Sequence, residues 1–136
     1  MELRTARDDD LDAVVDLWRR EGGPTSMPCG PTEAITLLRR DPDAILIAHD
    51  DVGLVGTVIV GWDGWRGHLY RLVVDPRARR QGIASRLVDE AKRRARALGA
   101  GKIEALVALD NEPAVEFWEA QGLELDRRDG RWMIVL

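Results

Sequence analysis

Near the middle of the chain the hydrophobic pattern changes its period twice. A strand-like apolar run from His68 to Asp75 is closed by Pro76. A helical pattern with one apolar face follows from Ile83 to Leu98, and a second strand-like run spans Ile103 to Leu109. Two strands of one sheet that are joined by a single helix lie parallel, and this crossover is right-handed in nearly all proteins. The sequence therefore predicts a sheet with one parallel pair of strands and a helix packed against it.

The residues before this unit predict one short strand, two helices and an antiparallel hairpin. The first helix has an apolar face formed by Leu11, Val14, Val15 and Trp18, and it ends at Gly22. The other predicted elements are a strand at Leu3, a loop at Gly22–Pro31, a short helix around Ile35–Leu38, and hairpin strands at Ala44–Ala48 and Leu54–Trp62.

The residues after the unit predict a short helix at Glu112–Gln121 and a final hairpin. The hairpin strands are Leu123–Leu125 and Trp132–Leu136, with a turn at Asp129–Gly130. Together these elements predict an α/β or α+β fold, with a mixed and mostly antiparallel sheet, a central parallel pair and flanking helices.

The length and composition predict one globular domain that covers residues 1–136. No apolar run approaches the roughly 18–20 residues that would span a bilayer, and Met1–Arg4 is not followed by the apolar core of a signal peptide. Cys29 is the only cysteine, so it has no partner for an internal disulfide. We therefore expect a cytoplasmic protein that does not bind membranes.

The charge is unevenly distributed along the chain. The net charge is −4, yet residues 77–102 contain nine basic and two acidic residues. A local basic field on an acidic body favours a small anion or a nucleic-acid patch, and a solvated helix face is the simpler alternative.

The basic segment begins with the turn Arg77–Ser85, RARRQGIAS, at the predicted start of a helix. The first turn of a helix presents backbone N–H groups without intrahelical acceptors, and the helix dipole adds partial positive charge there. Gly82 and Ala84 keep large side chains away from this point, so the turn is a candidate cradle for a phosphate or pyrophosphate. It matches neither a Walker loop nor the dinucleotide fingerprint.

Three motifs resemble the GNAT family of N-acetyltransferases. Arg79–Ala84, RRQGIA, resembles the family's Q/R-x-x-G-x-G/A signature, and Leu72–Pro76 resembles the strand end that precedes it. Asn111–Leu123, NEPAVEFWEAQGL, resembles the family's later N-x-x-A-x-x-F-Y motif, and Gly56–Ala84 is most similar to small bacterial members. The order of predicted elements also agrees over nearly the whole chain.

This resemblance implies a co-substrate, acetyl-coenzyme A, and no metal. In the family the fourth and fifth strands splay apart, and the pantetheine arm enters the gap. Carried over by position, the backbone of Leu72, Val73 and Val74 would bind the pantetheine and the acetyl carbonyl. The pyrophosphate would be held by the N–H groups of Arg79, Arg80, Gln81, Gly82, Ile83, Ala84 and Ser85. Asn111 would contact the pantetheine arm, and Ala114, Phe117 and Trp118 would line the coenzyme tunnel.

Two of these residues also have simpler interpretations. Phe117 is a candidate core residue, and Asn111 is a candidate N-cap for the helix that begins at Glu112. Each simpler interpretation is compatible with the functional one.

The chemistry that the resemblance implies is direct attack of an amine on the thioester carbon. The Val74 N–H would stabilise the oxyanion, with Val73 as a neighbouring candidate. Many family members protonate the leaving sulfur with a tyrosine, but this position is Trp118, whose indole N–H only donates. Tyr70 is the one tyrosine of the chain and a possible substitute, and a thiolate with a pKa near 8.5 can also leave without full protonation.

The general base has several candidates. Many relatives carry a glutamate on the fourth strand, whereas this strand reads HLYRLVV. Histidine is a common general base, and by period-two counting His68 shares a face with Tyr70, Leu72 and Val74. Glu104 on the next strand and a chain of water molecules are the alternatives.

The acceptor would be a primary amine on a small molecule or at a peptide or protein N-terminus. By resemblance its site would be shaped by Gly22–Pro31 and by residues near Asp126–Trp132. One more turn has two interpretations: it either helps to bind a cationic amine or is only a packed turn. Its residues are Trp62, Asp63, Trp65 and Arg66. The acidic remainder of the chain favours a cationic acceptor.

Two other functions compete with catalysis. A catalytically weak acyl-coenzyme A sensor or regulatory domain would explain Trp118 and the missing strand glutamate. Nucleic-acid binding is disfavoured because the whole chain is acidic and has no basic and aromatic strand platform. The protein is expected to be a monomer or a homodimer, since an exposed strand at Trp132–Leu136 could pair with a second chain.

Overall fold

The computed structural model describes residues 1–23 and 28–136. The chain divides into two compact units, Met1–Leu106 and Val107–Leu136, which are described separately below. The organisation of residues 1–136 as one domain stays a prediction.

The first unit contains five strands and three helices among the residues that the structure describes. In chain order they are β1 (Glu2–Thr5), α1 (Leu11–Glu21), α2 (Pro31–Arg40), β2 (Ile45–His49), β3 (Leu54–Trp62), β4 (Gly67–Val74), α3 (Ile83–Leu98) and β5 (Ile103–Ala105). Short 3₁₀ turns precede α1 at Asp8–Asp10 and α3 at Pro76–Ala78. The second unit contains one helix, α4 (Glu112–Ala120). Among these helices none is both long and apolar enough to cross a membrane.

The five strands form one mixed sheet in the order β1-β2-β3-β4-β5. All neighbours are antiparallel except β4 and β5, which confirms the predicted strand–helix–strand unit with a parallel pair. The parallel ladder is short and aligns Gly67 with Ile103, His68 with Glu104, and Leu69 with Ala105. Among the residues that the structure describes, this pair lies at one edge of the five-stranded sheet and not at its centre.

The helices pack on opposite faces of the sheet. On one face α1 and α2 bury Leu17, Trp18 and Leu38 in a cluster with Ile45, Ile47, Ile59 and Val73 of the sheet. On the other face α3 approaches β3 so closely that a Cβ on Gly56 would lie 3.0 Å from Leu87 Cδ1. The sheet is therefore covered on both sides, as expected for a strand–helix–strand unit.

The predicted C-terminal strands are wrong. Leu123–Leu125 and Trp132–Leu136 form no ladder with any described residue, and Val135 is 96% exposed. A run of apolar residues becomes a strand only when a neighbouring strand pairs its backbone, and no described residue pairs with either segment. The predicted strand Ile103–Leu109 is also shorter, since it ends at Ala105 where its ladder with β4 ends.

Candidate active site

Strand β4 contains a bulge that the sequence analysis missed. Tyr70 lies opposite Ile59 and Val73 lies opposite Thr57, so β4 takes three residue steps where β3 takes two. Arg71 lies in the bulge with φ +49, which is the left-handed region that non-glycine residues rarely adopt. The signal in the sequence was an arginine in the middle of an apolar strand.

The bulge changes which side chains share a face of the sheet. Residues paired across a ladder share a face, so Tyr70 lies on the face of Ile59 and Val73 on that of Thr57, which is the same face. The predicted grouping of His68 and Tyr70 with Val74 by period-two counting is therefore wrong. The extra residue moves the Val74 side chain to the opposite face, where α3 packs.

The bulge and the ladder together set the direction of the Val74 backbone. The Asp75 N–H donates to the Val55 carbonyl of β3 at 2.8 Å. Successive residues of a strand direct their N–H groups to opposite sides, so Val73 and Asp75 face β3 and Val74 faces away from it. Because β5 pairs with β4 only as far as Leu69, the Val74 N–H points to the side of β4 that β5 leaves open. Of the two predicted oxyanion donors, the geometry favours Val74 over Val73.

The turn between β4 and α3 has the geometry of an anion cradle. The Asp75 carboxylate accepts the Arg77 N–H at 3.0 Å and holds the 3₁₀ turn. Arg80 and Gly82 then have left-handed backbones, with φ +62 and +74. Such residues turn successive N–H groups toward one concave side. α3 begins at Ile83 without a side-chain cap on Gly82, so the cradle joins the positive end of the helix dipole.

The space in front of this cradle is open. A Cβ built on Gly82 would meet no protein atom within 4 Å, so glycine is needed here for its φ angle and not for clearance within the protein. Arg79, Arg80, Gln81 and Gly82 are exposed, Ala84 and Ser85 are partly buried, and Ile83 is buried. The predicted phosphate-binding residues thus form one continuous stretch, with Arg79–Gly82 in the turn and Ile83, Ala84 and Ser85 in the first turn of α3.

The arginine side chains around the turn differ in their partners. Arg79 pairs with Glu21 at 3.2 Å and donates a long hydrogen bond of 3.4 Å to the Val74 carbonyl. Arg77 pairs with Asp50, and the hydrogen bond from its guanidinium holds the pKa of that carboxyl well below its ordinary value. Arg80 makes no ion pair with any of the residues described. It is therefore the cation of this turn that is available to an anion.

His68, Tyr70 and Glu104 form a cluster near the start of the parallel pair. The rings of His68 and Tyr70 stack with centroids 5.6 Å apart, and His68 Nδ1 lies 3.8 Å from a Glu104 carboxylate oxygen. Burial raises the pKa of Tyr70 above its ordinary value, with smaller contributions from Asp63 and Glu104, so its hydroxyl is protonated at neutral pH.

This cluster lies far from Val74 along the strand. His68 is six residues before Val74, which corresponds to roughly 20 Å at about 3.3 Å per residue. A general base must come within about 3 Å of the proton it removes, or act through water. His68 can therefore serve Val74 only through a proton path along β4, and the catalytic roles of His68 and Tyr70 stay predictions.

The turn between β3 and β4 is internally satisfied. The Asp63 carboxylate accepts the N–H groups of Trp65 and Arg66 at 2.7 Å each, and these bonds lower the pKa of Asp63. The Arg66 guanidinium lies 5.1 Å from the ring centroid of Trp65. An open depression of about 440 Å³ lies beside this turn and is bordered by Lys102 and Glu104. These contacts favour the interpretation of a packed turn.

The second unit carries the later motif. The Ala114 N–H donates to Asn111 Oδ1 at 3.2 Å, which confirms Asn111 as the N-cap of α4. Phe117 and Trp118 are partly buried and pack edge to face, with ring centroids 5.3 Å apart. The roles of Asn111, Ala114, Phe117 and Trp118 toward a coenzyme stay predictions.

The predicted acceptor segments are only partly described. Residues 24–27 of the Gly22–Pro31 loop lie outside the described residues. In the other segment Asp126 forms an ion pair with Arg128 at 3.1 Å, and Trp132 is 95% exposed. Within the described ranges no group of three or more metal-ligating side chains is present.

A comparison with known families decides the identity of this fold. The model of the acetyltransferase (GNAT) family matches residues 11–123, which include the bulged strand, the cradle and α4. The chain belongs to the GNAT family.

Individual GNAT relatives agree with this assignment. A protein named an acetyltransferase from Pectobacterium atrosepticum is 35% identical over 119 residues, which cover 88% of this chain and 84% of the relative. The solved structure of Ard1 from Thermoplasma volcanium has a TM-score of 0.78 at 20% identity and covers 89% of this chain and 80% of that one. A Mycobacterium tuberculosis protein solved in complex with CoA and NLQ has a TM-score of 0.74 at 23% identity, covering 93% and 74%. The two structures share the fold with this GNAT chain.

Proposed function

We propose that this chain is an acetyl-CoA-dependent N-acetyltransferase of the cytoplasm that acetylates a primary amine by direct attack in a ternary complex. The observation that carries the proposal is the pairing of two backbone features in the first unit. The Val74 N–H points to the open side of β4, and a few residues later the Arg79–Ser85 turn forms an anion cradle at the start of α3.

The cradle fits the pyrophosphate of coenzyme A. Its left-handed residues Arg80 and Gly82 precede the positive end of a 16-residue helix, and Arg80 supplies an available cation. The space before Gly82 is open, so a diphosphate can approach the backbone closely. One structural relative was solved with CoA, which supports the choice of coenzyme.

Different residues of this chain would then carry out different parts of the reaction. Acetyl-CoA supplies an acetyl group activated as a thioester. The Val74 N–H holds the carbonyl oxygen and stabilises the negative charge that develops there. Trp118 takes the place of the usual tyrosine and offers only an indole N–H, so a thiol with a pKa near 8.5 leaves largely as the thiolate. With His68 far along the strand, water removes the proton of the amine.

The charge of the chain indicates what kind of acceptor it binds. The net charge is −4 although residues 77–102 are strongly basic, so the remainder of the chain is acidic. An acidic surface attracts a cationic amine and raises its local concentration. We therefore expect a polyamine-like or peptide N-terminal acceptor with additional positive charge.

Two measurements test this proposal. The five tryptophans allow acetyl-CoA binding to be followed by fluorescence, and thiol release reports turnover against a panel of amines and peptide N-termini. We expect saturable binding together with amine-dependent thiol release. Absence of binding at millimolar acetyl-CoA would refute the proposal, and tight binding without turnover on any acceptor would support the sensor function instead.

A further inference from the structure

The Arg71 side chain connects the bulge of β4 to the C-terminal end of α1. Its guanidinium donates to the carbonyl of Trp18 and to that of Gly22, each at 3.1 Å. The same guanidinium lies 5.7 Å from the ring centroid of Trp18. A residue of the bulge is thus bound to two carbonyls of another element.

The backbone of Arg71 is held as well. Thr57 is fully buried, and its hydroxyl donates to the Arg71 carbonyl at 3.0 Å. The same hydroxyl accepts the indole N–H of Trp18 at 2.9 Å. Arg71, Trp18 and Thr57 therefore form a closed ring of hydrogen bonds around the bulge, which we call the bulge clamp.

Gly22 makes room for the clamp. A Cβ at this position would lie 2.1 Å from Arg71 Nη2 and 2.5 Å from the Trp18 carbonyl oxygen. The Gly22 backbone has φ −75, which any residue adopts, so glycine is required here by space alone. The end of α1 and the bulge are thus built to fit each other.

The clamp acts on the direction of Val74. A non-glycine residue with a left-handed backbone persists where its surroundings over-determine it, and such sites cluster where function needs them. The extra residue of the bulge decides which way the following backbone faces, and Val74 is three residues beyond Arg71. If the clamp loosens, the Val74 N–H loses its fixed direction, whereas Arg80 and Gly82 keep the left-handed backbone angles of the cradle.

We propose that Arg71 is a positioning residue that fixes the Val74 N–H for the acetyl carbonyl through the bulge clamp. The proposal rests on the proposed function, since it is the acetyl group that gives the Val74 N–H its use. It adds a dependence of catalysis on the C-terminal end of α1.

The test compares three ways of opening the clamp. Arg71→Gln removes the charge, Thr57→Val removes the bridging hydroxyl, and Gly22→Ala places a methyl group where the guanidinium lies. Each should lower kcat by about 100-fold, because a misplacement of about 1 Å at a reacting group or a weakened oxyanion donor has an effect of this size. The Kd for acetyl-CoA should change less than kcat does, since the backbone angles of Arg80 and Gly82, which aim the N–H groups of the cradle, lie outside the clamp.

Conservative variants and one control complete the set. Thr57→Ser keeps the hydroxyl and should restore most of the kcat lost in Thr57→Val, and Arg71→Lys should restore part of it because an ammonium still donates to carbonyls. Arg39→Gln removes an exposed arginine of α2 and should leave kcat unchanged. Gly22→Ala combined with Arg71→Gln should lower kcat no further than either change alone, because both open the same clamp.

A spectroscopic measurement separates this proposal from the proposed function. The amide resonance of Val74 in the free protein should shift in all three clamp variants, and it can be read even if the chain shows no turnover. An unmoved Val74 amide, or a kcat per folded molecule equal to that of the unchanged protein, would overturn the clamp proposal. Additive losses in the double variant would do the same. If Arg71→Gln does not fold, Thr57→Val and Gly22→Ala provide the same comparison.

Discussion

Two residues of the cradle have left-handed backbones, and only one of them is glycine. Gly82 has φ +74 with open space around it, and Arg80 has φ +62 with an exposed side chain. Their backbone angles aim the N–H groups, so we expect the left-handed angle at residue 82 to matter to coenzyme binding.

Gly82→Ala tests this expectation. The left-handed φ disfavours alanine by about 1 kcal/mol, so the free energy of unfolding should fall by that amount. The Kd for acetyl-CoA should rise about tenfold as the turn relaxes and loses a charge-assisted hydrogen bond. Both quantities follow from thermal unfolding and a fluorescence titration.

Gly64→Ala is the matched control for that change. Gly64 also has a left-handed φ, +92, with nothing within 4 Å, but it lies in the turn between β3 and β4. The free energy of unfolding of the Gly64→Ala variant should fall by a similar amount, and its Kd for acetyl-CoA should stay unchanged. Equal Kd values for Gly82→Ala and Gly64→Ala would show that the cradle does not bind the coenzyme.

Arg80 and Arg79 offer a second comparison between neighbours. Arg80→Gln should raise the Kd for acetyl-CoA about two- to fivefold, because an exposed charge near a phosphate contributes little more than this. Arg79→Gln should have a smaller effect, since Arg79 already pairs with Glu21. The difference between the Kd values of the two variants should shrink as salt is added. A larger effect at Arg79 would contradict the assignment of the available cation.

At this scale the sequence predicted some residues well and others not at all. The position of Gly82 at the start of α3 and the N-cap Asn111 could be identified because each has a local signature that does not depend on distant contacts. Arg71 could not, because a bulge is defined by register against β3. Counting residues along β4 alone therefore placed Val74 on the wrong face.

Among the elements, helices with one apolar face were predicted most accurately. α3 spans Ile83–Leu98 as its period indicated, and it ends at Gly99, whose φ of +105 suits glycine. β3 likewise spans Leu54–Trp62 as predicted. In both cases the pattern within the element agrees with the two-sided packing that surrounds it.

The strand prediction for the C-terminal segment was wrong for the opposite reason. Trp132–Leu136 is a continuous apolar run, which is typical of a strand buried on both faces. Strand formation also requires a paired neighbour, and no described residue provides one. Composition could not reveal this absence, so the predicted hairpin and the central place of the parallel pair were both wrong.

An ion pair connects β1 to the start of α1 and predicts an acid-sensitive contact. Arg4 donates to both carboxylate oxygens of Asp10, at 2.7 and 2.9 Å, and the Arg7 N–H adds a third bond at 2.7 Å. The bond from Arg4 is the main cause that lowers the pKa of Asp10 below its ordinary value. A carboxyl with a lowered folded pKa stabilises the fold above its unfolded pKa, and this contribution is lost as pH falls through the folded value.

Asp10→Asn should therefore reduce the free energy of unfolding by about 1–2 kcal/mol at pH 7. The difference from the unchanged protein should narrow below about pH 4, where the carboxyl of the unfolded chain is protonated. Denaturant unfolding at several pH values measures it, with Asp9→Asn as an exposed neighbouring control. A difference that stays constant down to pH 2 would contradict the role of the charge.

Across the whole molecule, the basic segment is less free than its composition suggests. Arg77 pairs with Asp50, Arg79 with Glu21, Arg93 with Glu90, and Arg94 with both Asp41 and Asp43. Acidic residues thus neutralise much of the basic run, several of them from other elements. At the cradle this leaves Arg80 without an ion pair among the residues that the structure describes, next to the positive end of the α3 dipole, and this arrangement suits a small anion.

Membership of the GNAT family connects the observations on residues, elements and the whole molecule. This membership agrees with a parallel ladder that ends at Leu69 and with the left-handed turn that follows β4, and the proposed bulge clamp would fix the backbone between them. The central claim is that Val74 and the cradle hold one molecule of acetyl-CoA together.

Amide NMR shifts during titration test that claim most directly. With coenzyme A alone, we expect the largest shifts in residues 80–85. With acetyl-CoA, the Val74 amide should shift further than with coenzyme A, because the acetyl carbonyl adds an acceptor for its hydrogen bond. Saturable binding that leaves the amides of Val74 and residues 80–85 unmoved would contradict the account.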